Sequence, residues 1–186
     1  MPSLRNFICI VVLAPILAGC KSTYSEKNLT NEPPPILRSN SRIYVAIPFD
    51  SSFKETVAQD SGKLTAQAFQ AAFLPYTRSV YISRNPESVS EAIERARGGQ
   101  LEYVLYPTIT RWEDRATEWS GRRDRLAIKA ELIDLATSRI VFSREFEATG
   151  KWMTDGGESP RDLLDEPAQQ YVNALFRRID RPSALR

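Results

Sequence analysis

The stretch RIYVAIPFD, residues 42–50, constrains the fold more than any other part of this chain, because it is apolar without alternation from Ile43 to Ile47. A strand of that kind has to be covered on both faces, which is the situation of a parallel sheet flanked by helices. The residues that follow fit this demand. An Ala-rich helical stretch spans about 57–74 and is halted by Pro75, with Leu64, Ala68 and Ala71 at helical spacing and Phe69 and Phe73 alongside. Gly62 weakens the start of that helix. SVYIS, residues 79–83, reads as a second strand. Ser88 and Glu91 form a capping-box pair, Val89, Ala92, Ile93 and Ala96 make one apolar stripe, and Gly98-Gly99 supplies the stop. EYVLYPTITRW is the third strand. The order so far is βαβαβ, which requires crossover connections and parallel neighbours.

The pattern then changes. DRLAIKAELIDL and RIVFSREFEAT alternate apolar with charged residues. Leu126, Ile128, Ala130 and Leu132 face one way, Lys129 and Glu131 the other, and Ile140, Phe142 and Phe146 repeat the pattern, so one face of this half-sheet meets water. LATSR joins the two strands as a hairpin. Ser159-Pro160 caps a short turn, Pro167 separates it from a last helix, and Ala168, Tyr171, Val172, Leu175 and Ile179 make that helix's apolar stripe. The expectation is a single α/β domain over 42–180, βαβαβββα, with a five-stranded mixed sheet that is parallel in its first half and ends in an antiparallel hairpin. Ile43, Val45, Ile47, Val104 and Leu132 belong to its core. Residues 181–186 form a frayed tail.

Ahead of the domain stands MPSLRNFICIVVLAPILAG, with one positive charge at Arg5 and an apolar run from Phe7 to Ala18. A spanning helix needs roughly 20 apolar residues, so this shorter run, interrupted by Pro15, fits the core of a secretory signal over residues 1–19. Leu17-Ala18-Gly19-Cys20 resembles a bacterial lipobox, and the resemblance implies that Cys20 becomes the N-terminus and carries acyl chains. Each buried methylene contributes about 0.8 kcal/mol, so several chains on one residue would hold the protein on a membrane. Lys21 follows the cysteine where sorted lipoproteins retained at the inner membrane carry Asp, which implies the outer membrane. Residues 20–41 are polar with Pro33 to Pro35 in a row, the composition of a tether that stands the domain off the bilayer.

Composition excludes several chemistries. The chain has two cysteines and no histidine. With Cys9 in the leader and Cys20 acylated, no disulfide can form, and neither a Cys/His zinc spacing nor a histidine-based triad is available. Net charge is +2, or +1 without Arg5, so nothing calls for nucleic acid as a partner. No cofactor or metal is expected.

The order βαβαβββα, the lipobox, the VAIPF first strand and the late ELIDLATSRIVFS hairpin together resemble periplasmic lipoprotein domains related to the curli secretion channel subunit, the penicillin-binding-protein activators and the TolB N-terminal domain. They also resemble a family of uncharacterised proteobacterial lipoproteins of unknown function. The likeness runs from about Ile43 to Phe176, and Ser138 stands where the wider group often has Gly. It implies the strand order 2-1-3-4-5.

The remaining motifs weigh against catalysis. Glu113 and Asp114 are neighbours on a strand and point to opposite faces, so they do not share a site. Glu145 and Glu147 share a face, but it is the solvated one. Gly98-Gly99 closes a helix, whereas a phosphate cradle opens one. RWEDRATEWSGRRDR, residues 111–125, holds two of the three tryptophans, and its five arginines face four acids. Trp and Arg are the residues of binding hot spots, which makes Trp119, Arg122, Arg123 and Trp112 candidates for a partner surface. The scaffold reading, in which Trp112 and Trp119 pack across strands or cap the core, is the favoured one, and Trp119 is the better partner candidate of the two. Two functions remain: a non-catalytic binding or scaffolding lipoprotein for envelope machinery, or a carboxylate-based periplasmic enzyme acting on cell-wall or polysaccharide material.

Overall fold

A computed structural model of the chain describes residues 22–53, 56–114, 123–151 and 159–176. Its main sheet is built from β1 (Thr23–Asn28), β2 (Ile43–Ile47), β5 (Val80–Pro86), β6 (Tyr103–Glu113), β7 (Arg125–Asp134) and β8 (Arg139–Thr149), in the order β1-β8-β7-β6-β2-β5. A small hairpin, β3 (Ser52–Phe53) and β4 (Thr56–Val57), follows β2. The helices are α1 (Ser61–Phe73), α2 (Val89–Gly98) and α3 (Asp165–Leu175), the last preceded by a 3-10 turn over Pro160–Leu163.

The expected five-strand run is present. β2 pairs in parallel with β5 and β6, while β6–β7 and β7–β8 are antiparallel. Two structural layers cover β2 because its side chains alternate between two apolar clusters. Ile43, Val45 and Ile47 point into the larger one with Leu105, Leu132, Phe142, α1 and α3. Tyr44 and Ala46 point into the smaller one with Val104, Tyr106, Ile133 and the Ala92–Ala96 stripe of α2. All five residues expected in the core are buried. Because α2 reaches only β2, β6 and the end of β7, the outer face of the remaining strands carries Lys129, Glu131, Glu145 and Glu147, with Lys129 and Glu131 paired at 3.0 Å.

Four details depart from expectation. The stretch read as a tether contains β1, a sixth strand laid antiparallel on β8 from Thr23↔Thr149 to Asn28↔Arg144. Arg144 holds it there: the side chain lies buried on the apolar face, 5.0 Å from the centre of the Phe142 ring, where it donates to Asn28 Oδ1 at 2.6 Å and Glu26 Oε2 at 2.8 Å. The remainder of the segment also follows the domain, with the Leu37 side chain buried and its N–H bonded to the Leu175 carbonyl at 2.8 Å.

Ile140 is exposed instead of buried, because a bulge places it opposite Ile133 while Leu132 meets Phe142. One extra residue flips the side-chain alternation. The first helix begins at Ser61, four residues after the expected start, since the intervening chain forms β3 and β4 and then turns through Asp60 at φ 62°. Pro167 lies inside the first turn of α3, where its missing N–H costs nothing, so the break precedes it at Leu164. The capping box of Ser88 and Glu91 and the stop at Gly99 stand as read from the sequence.

Candidate functional site

Open α/β sheets bind ligands outside the carboxyl ends of their parallel strands, where successive crossovers depart to opposite faces. That point lies beside β2, since α1 packs on one face and α2 on the other. Its first half is filled by the chain itself. Asp50, just past β2, accepts the Gly62 N–H at 2.8 Å through Oδ1 and the Asp60 N–H at 3.1 Å through Oδ2. Ser61 donates its hydroxyl to the same carboxylate at 3.4 Å and accepts the Ser51 N–H at 2.9 Å. The N-terminus of α1 would otherwise offer these N–H groups to an anion, and Asp50 occupies that position. The close approach requires glycine: a Cβ on Gly62 would stand 2.1 Å from the Pro48 carbonyl oxygen.

The second half is a buried polar group under the start of α2. Glu87, which follows β5, is 2% exposed, and its Oε2 lies 3.2 Å from Arg95 Nε. Tyr106 donates its hydroxyl to the Glu87 carbonyl at 3.0 Å. Burial, then the Glu87 charge, raises the Tyr106 phenol above its ordinary pKa. Burial does the same to Tyr44, with Ser83 lowering it and Glu87 raising it further. The buried Glu87 carboxylate thus has the half-exposed Arg95 as its ion-pair partner, while neither of its oxygens nor the Tyr44 hydroxyl has a hydrogen-bond partner.

The residues singled out from the sequence divide between described and undescribed parts of the chain. Cys20, Trp119 and Arg122 lie outside the described residues. Arg123 is exposed at the entry to β7. Trp112 is half-buried: it lies opposite Leu126 and packs against the larger core, so its neighbours are those of a scaffold residue. Trp112→Ala should therefore destabilise the domain by about 2 kcal/mol, roughly half of a full aromatic truncation. Thermal unfolding measures this, and an unchanged melting temperature would reject the packing role. Arg123 and Trp112 are eleven residues apart in the sequence, and the register brings their strands side by side at one end of the sheet.

The four carboxylates do not share one environment: the Glu113 side chain is largely buried, and the other three are exposed or partly so. Glu113 lies 3.8 Å from Arg111, Asp114 is exposed, Glu147 is exposed and Glu145 is partly so. Among the described residues no group of acidic or other ligating side chains is arranged to hold a metal ion. Three residues that organise the structure went unread in the sequence: Asp50, Glu87 and Arg144. Arg144 had a visible signal, a lone charge on the apolar side of the alternation between Phe142 and Phe146. Asp50 and Glu87 had none beyond their place at strand ends.

A family model described as a domain of unknown function (DUF4823) matches residues 36–175. No curated protein matches the chain by sequence. Among solved structures, the PelC dodecamer from Paraburkholderia phytofirmans has a TM-score of 0.65 at 17% identity, covering 85% of this chain and 99% of that one. Protein XCC0632 from Xanthomonas campestris, of family DUF330, has a TM-score of 0.51 at 14% identity, covering 79% and 90%. At these identities the likeness is one of fold. Lipoprotein GNA1162 from Neisseria meningitidis is more distant, with a TM-score of 0.39, 17% identity and coverage of 72% and 96%.

Proposed function

We propose that this chain, which belongs to the DUF4823 family, is a membrane-anchored lipoprotein of the cell envelope that binds or scaffolds other envelope components without catalysing a reaction. The observation that carries the non-catalytic part is the state of the switch point. Asp50 fills the anion position at α1 and Glu87 is matched to Arg95, so the place where this fold class usually binds substrates is occupied by the chain's own groups. The periplasmic enzyme is the weaker reading, because Glu113, Asp114, Glu145 and Glu147 do not converge on one cleft.

Anchoring rests on Leu17-Ala18-Gly19-Cys20, and Lys21 after it favours the outer membrane. Acylation of Cys20 is the means of attachment in this reading; among the described residues no helix is long and apolar enough to cross a membrane. PelC is described as a dodecamer, and self-assembly is one form that scaffolding by this fold could take. Cys20→Ala should move the protein from the membrane fraction to the soluble fraction of the cell. A variant that still sediments with membranes would overturn the lipoprotein reading. Crosslinking in intact cells should capture envelope proteins or further copies of the chain, and turnover of cell-wall fragments by the purified domain would favour the enzyme instead.

A further inference from the structure

Glu113, Arg125, Thr149 and Thr23 face one another in a single row across β6, β7, β8 and β1. This row marks one end of the sheet, and Cys20 is three residues before Thr23. Three residues of chain reach at most about 10 Å. β1 cannot pay out more, because its six residues are paired with β8 and the buried Arg144 is bonded to Glu26 and Asn28. The segment after β1 is held as well, by the Leu29 N–H on the Ser143 carbonyl and the Leu37 N–H on the Leu175 carbonyl, both at 2.8 Å. A residue anchored at position 20 thus has no slack with which to hold the domain away from its attachment.

We propose that this end of the sheet rests on the bilayer, with β1 acting as a rigid strap that fixes the domain's orientation to the membrane surface. The inference rests on the lipoprotein reading above. Arg123 and Arg125 are exposed at or beside the row and, in this orientation, come within reach of lipid phosphates, next to Arg111, which is paired with Glu113 at 3.8 Å. Charge alone does not choose the end, since Arg42, Arg97 and Arg139 are exposed toward the opposite one. The position of Cys20 does choose it. The β7–β8 turn, with Ala136 exposed, then points away from the membrane, roughly 30 Å from the row at 3.4 Å per strand residue.

The test uses the acylated chain in vesicles of phosphatidylethanolamine and phosphatidylglycerol. Acylation consumes Cys20 and Cys9 lies in the leader, so a cysteine introduced at Arg123, Lys151 or Ala136 gives a unique nitroxide site. Collision with a water-soluble nickel complex should be several-fold lower at positions 123 and 151 than at 136. A flexible Gly/Ser linker inserted between Lys21 and Ser22 should abolish that difference while the protein stays bound. Equal exposure of all three sites in vesicle-bound protein would overturn the orientation and leave the anchor intact. Failure of the chain to acquire acyl groups, or unchanged vesicle binding of Cys20→Ala, would overturn the lipoprotein reading and this inference with it.

Discussion

Gly62→Ala should destabilise the domain by about 3 kcal/mol or more, which for a domain of this size lowers the melting temperature by roughly 10 °C. The added Cβ would stand 2.1 Å from the Pro48 carbonyl oxygen, 3.1 Å from its carbon and 3.2 Å from Asp50 Oδ1. Two of those three atoms are backbone of the buried Pro48 just after β2, so relief requires moving α1 away from the sheet. That movement would also lengthen the 2.8 Å bond between the Gly62 N–H and Asp50. Gly98→Ala is the matched control: its Cβ would meet nothing within 4 Å at the end of α2. There the better helix propensity of Ala should leave stability equal or slightly higher. Thermal melts followed by circular dichroism compare the two. Equal melting temperatures would mean that the Pro48–Gly62 contact does not constrain the fold.

The second large effect belongs to Tyr171, a fully buried residue of α3. Its ring meets Phe69 at 5.7 Å, Phe142 at 4.8 Å and Phe146 at 6.2 Å between centroids, so it joins α1, α3 and β8. Tyr171→Ala should cost about 3–5 kcal/mol, the range for buried aromatic truncations. Tyr171→Phe removes only the hydroxyl that donates to the Phe142 carbonyl at 3.3 Å, and should cost about 1 kcal/mol. Chemical denaturation separates the two, and similar losses would place the energy in the hydroxyl instead of the ring.

The same residue sets an alkaline limit. Burial raises the Tyr171 phenol well above its ordinary value of 10.0, and Tyr44, Tyr103 and Tyr106 are raised by the same cause. Above about pH 10 the unfolded chain loses phenolic protons that the folded chain keeps, so stability falls as pH rises there and is unaffected below. Tyr171→Phe should flatten that alkaline decline.

The sequence carried the α/β alternation and the core because both depend on local period. Ile43, Val45 and Ile47 sit in one cluster and Tyr44 and Ala46 in the other, as an unbroken apolar strand demands. The Ser88–Glu91 cap was readable because it is made within four residues. What stayed illegible depends on contacts between distant positions. Thr23–Asn28 has a polar composition and is a strand only because β8 offers it an edge and Arg144 a partner. Gly62 looks like a weak helix residue until Pro48 is seen beside it. The bulge that exposes Ile140 has no sequence mark, and Asp50 reveals its role only through the N–H groups that surround it.

The place of β1 also governs the order in which the sheet can be completed. Thr23 pairs with Thr149, more than a hundred residues further along the chain. A contact of such separation carries a high loop-closure cost and forms late. When the chain emerges from its N-terminus, β1 must wait for β8, the last strand, before it can dock. Until then β8 presents an unpaired edge, the feature through which strands of different copies join. Closure of the sheet is thereby tied to the far end of the domain: β1 can cover that edge only after β8 is in place, and a chain that ends before Arg144 leaves β1 without its partner.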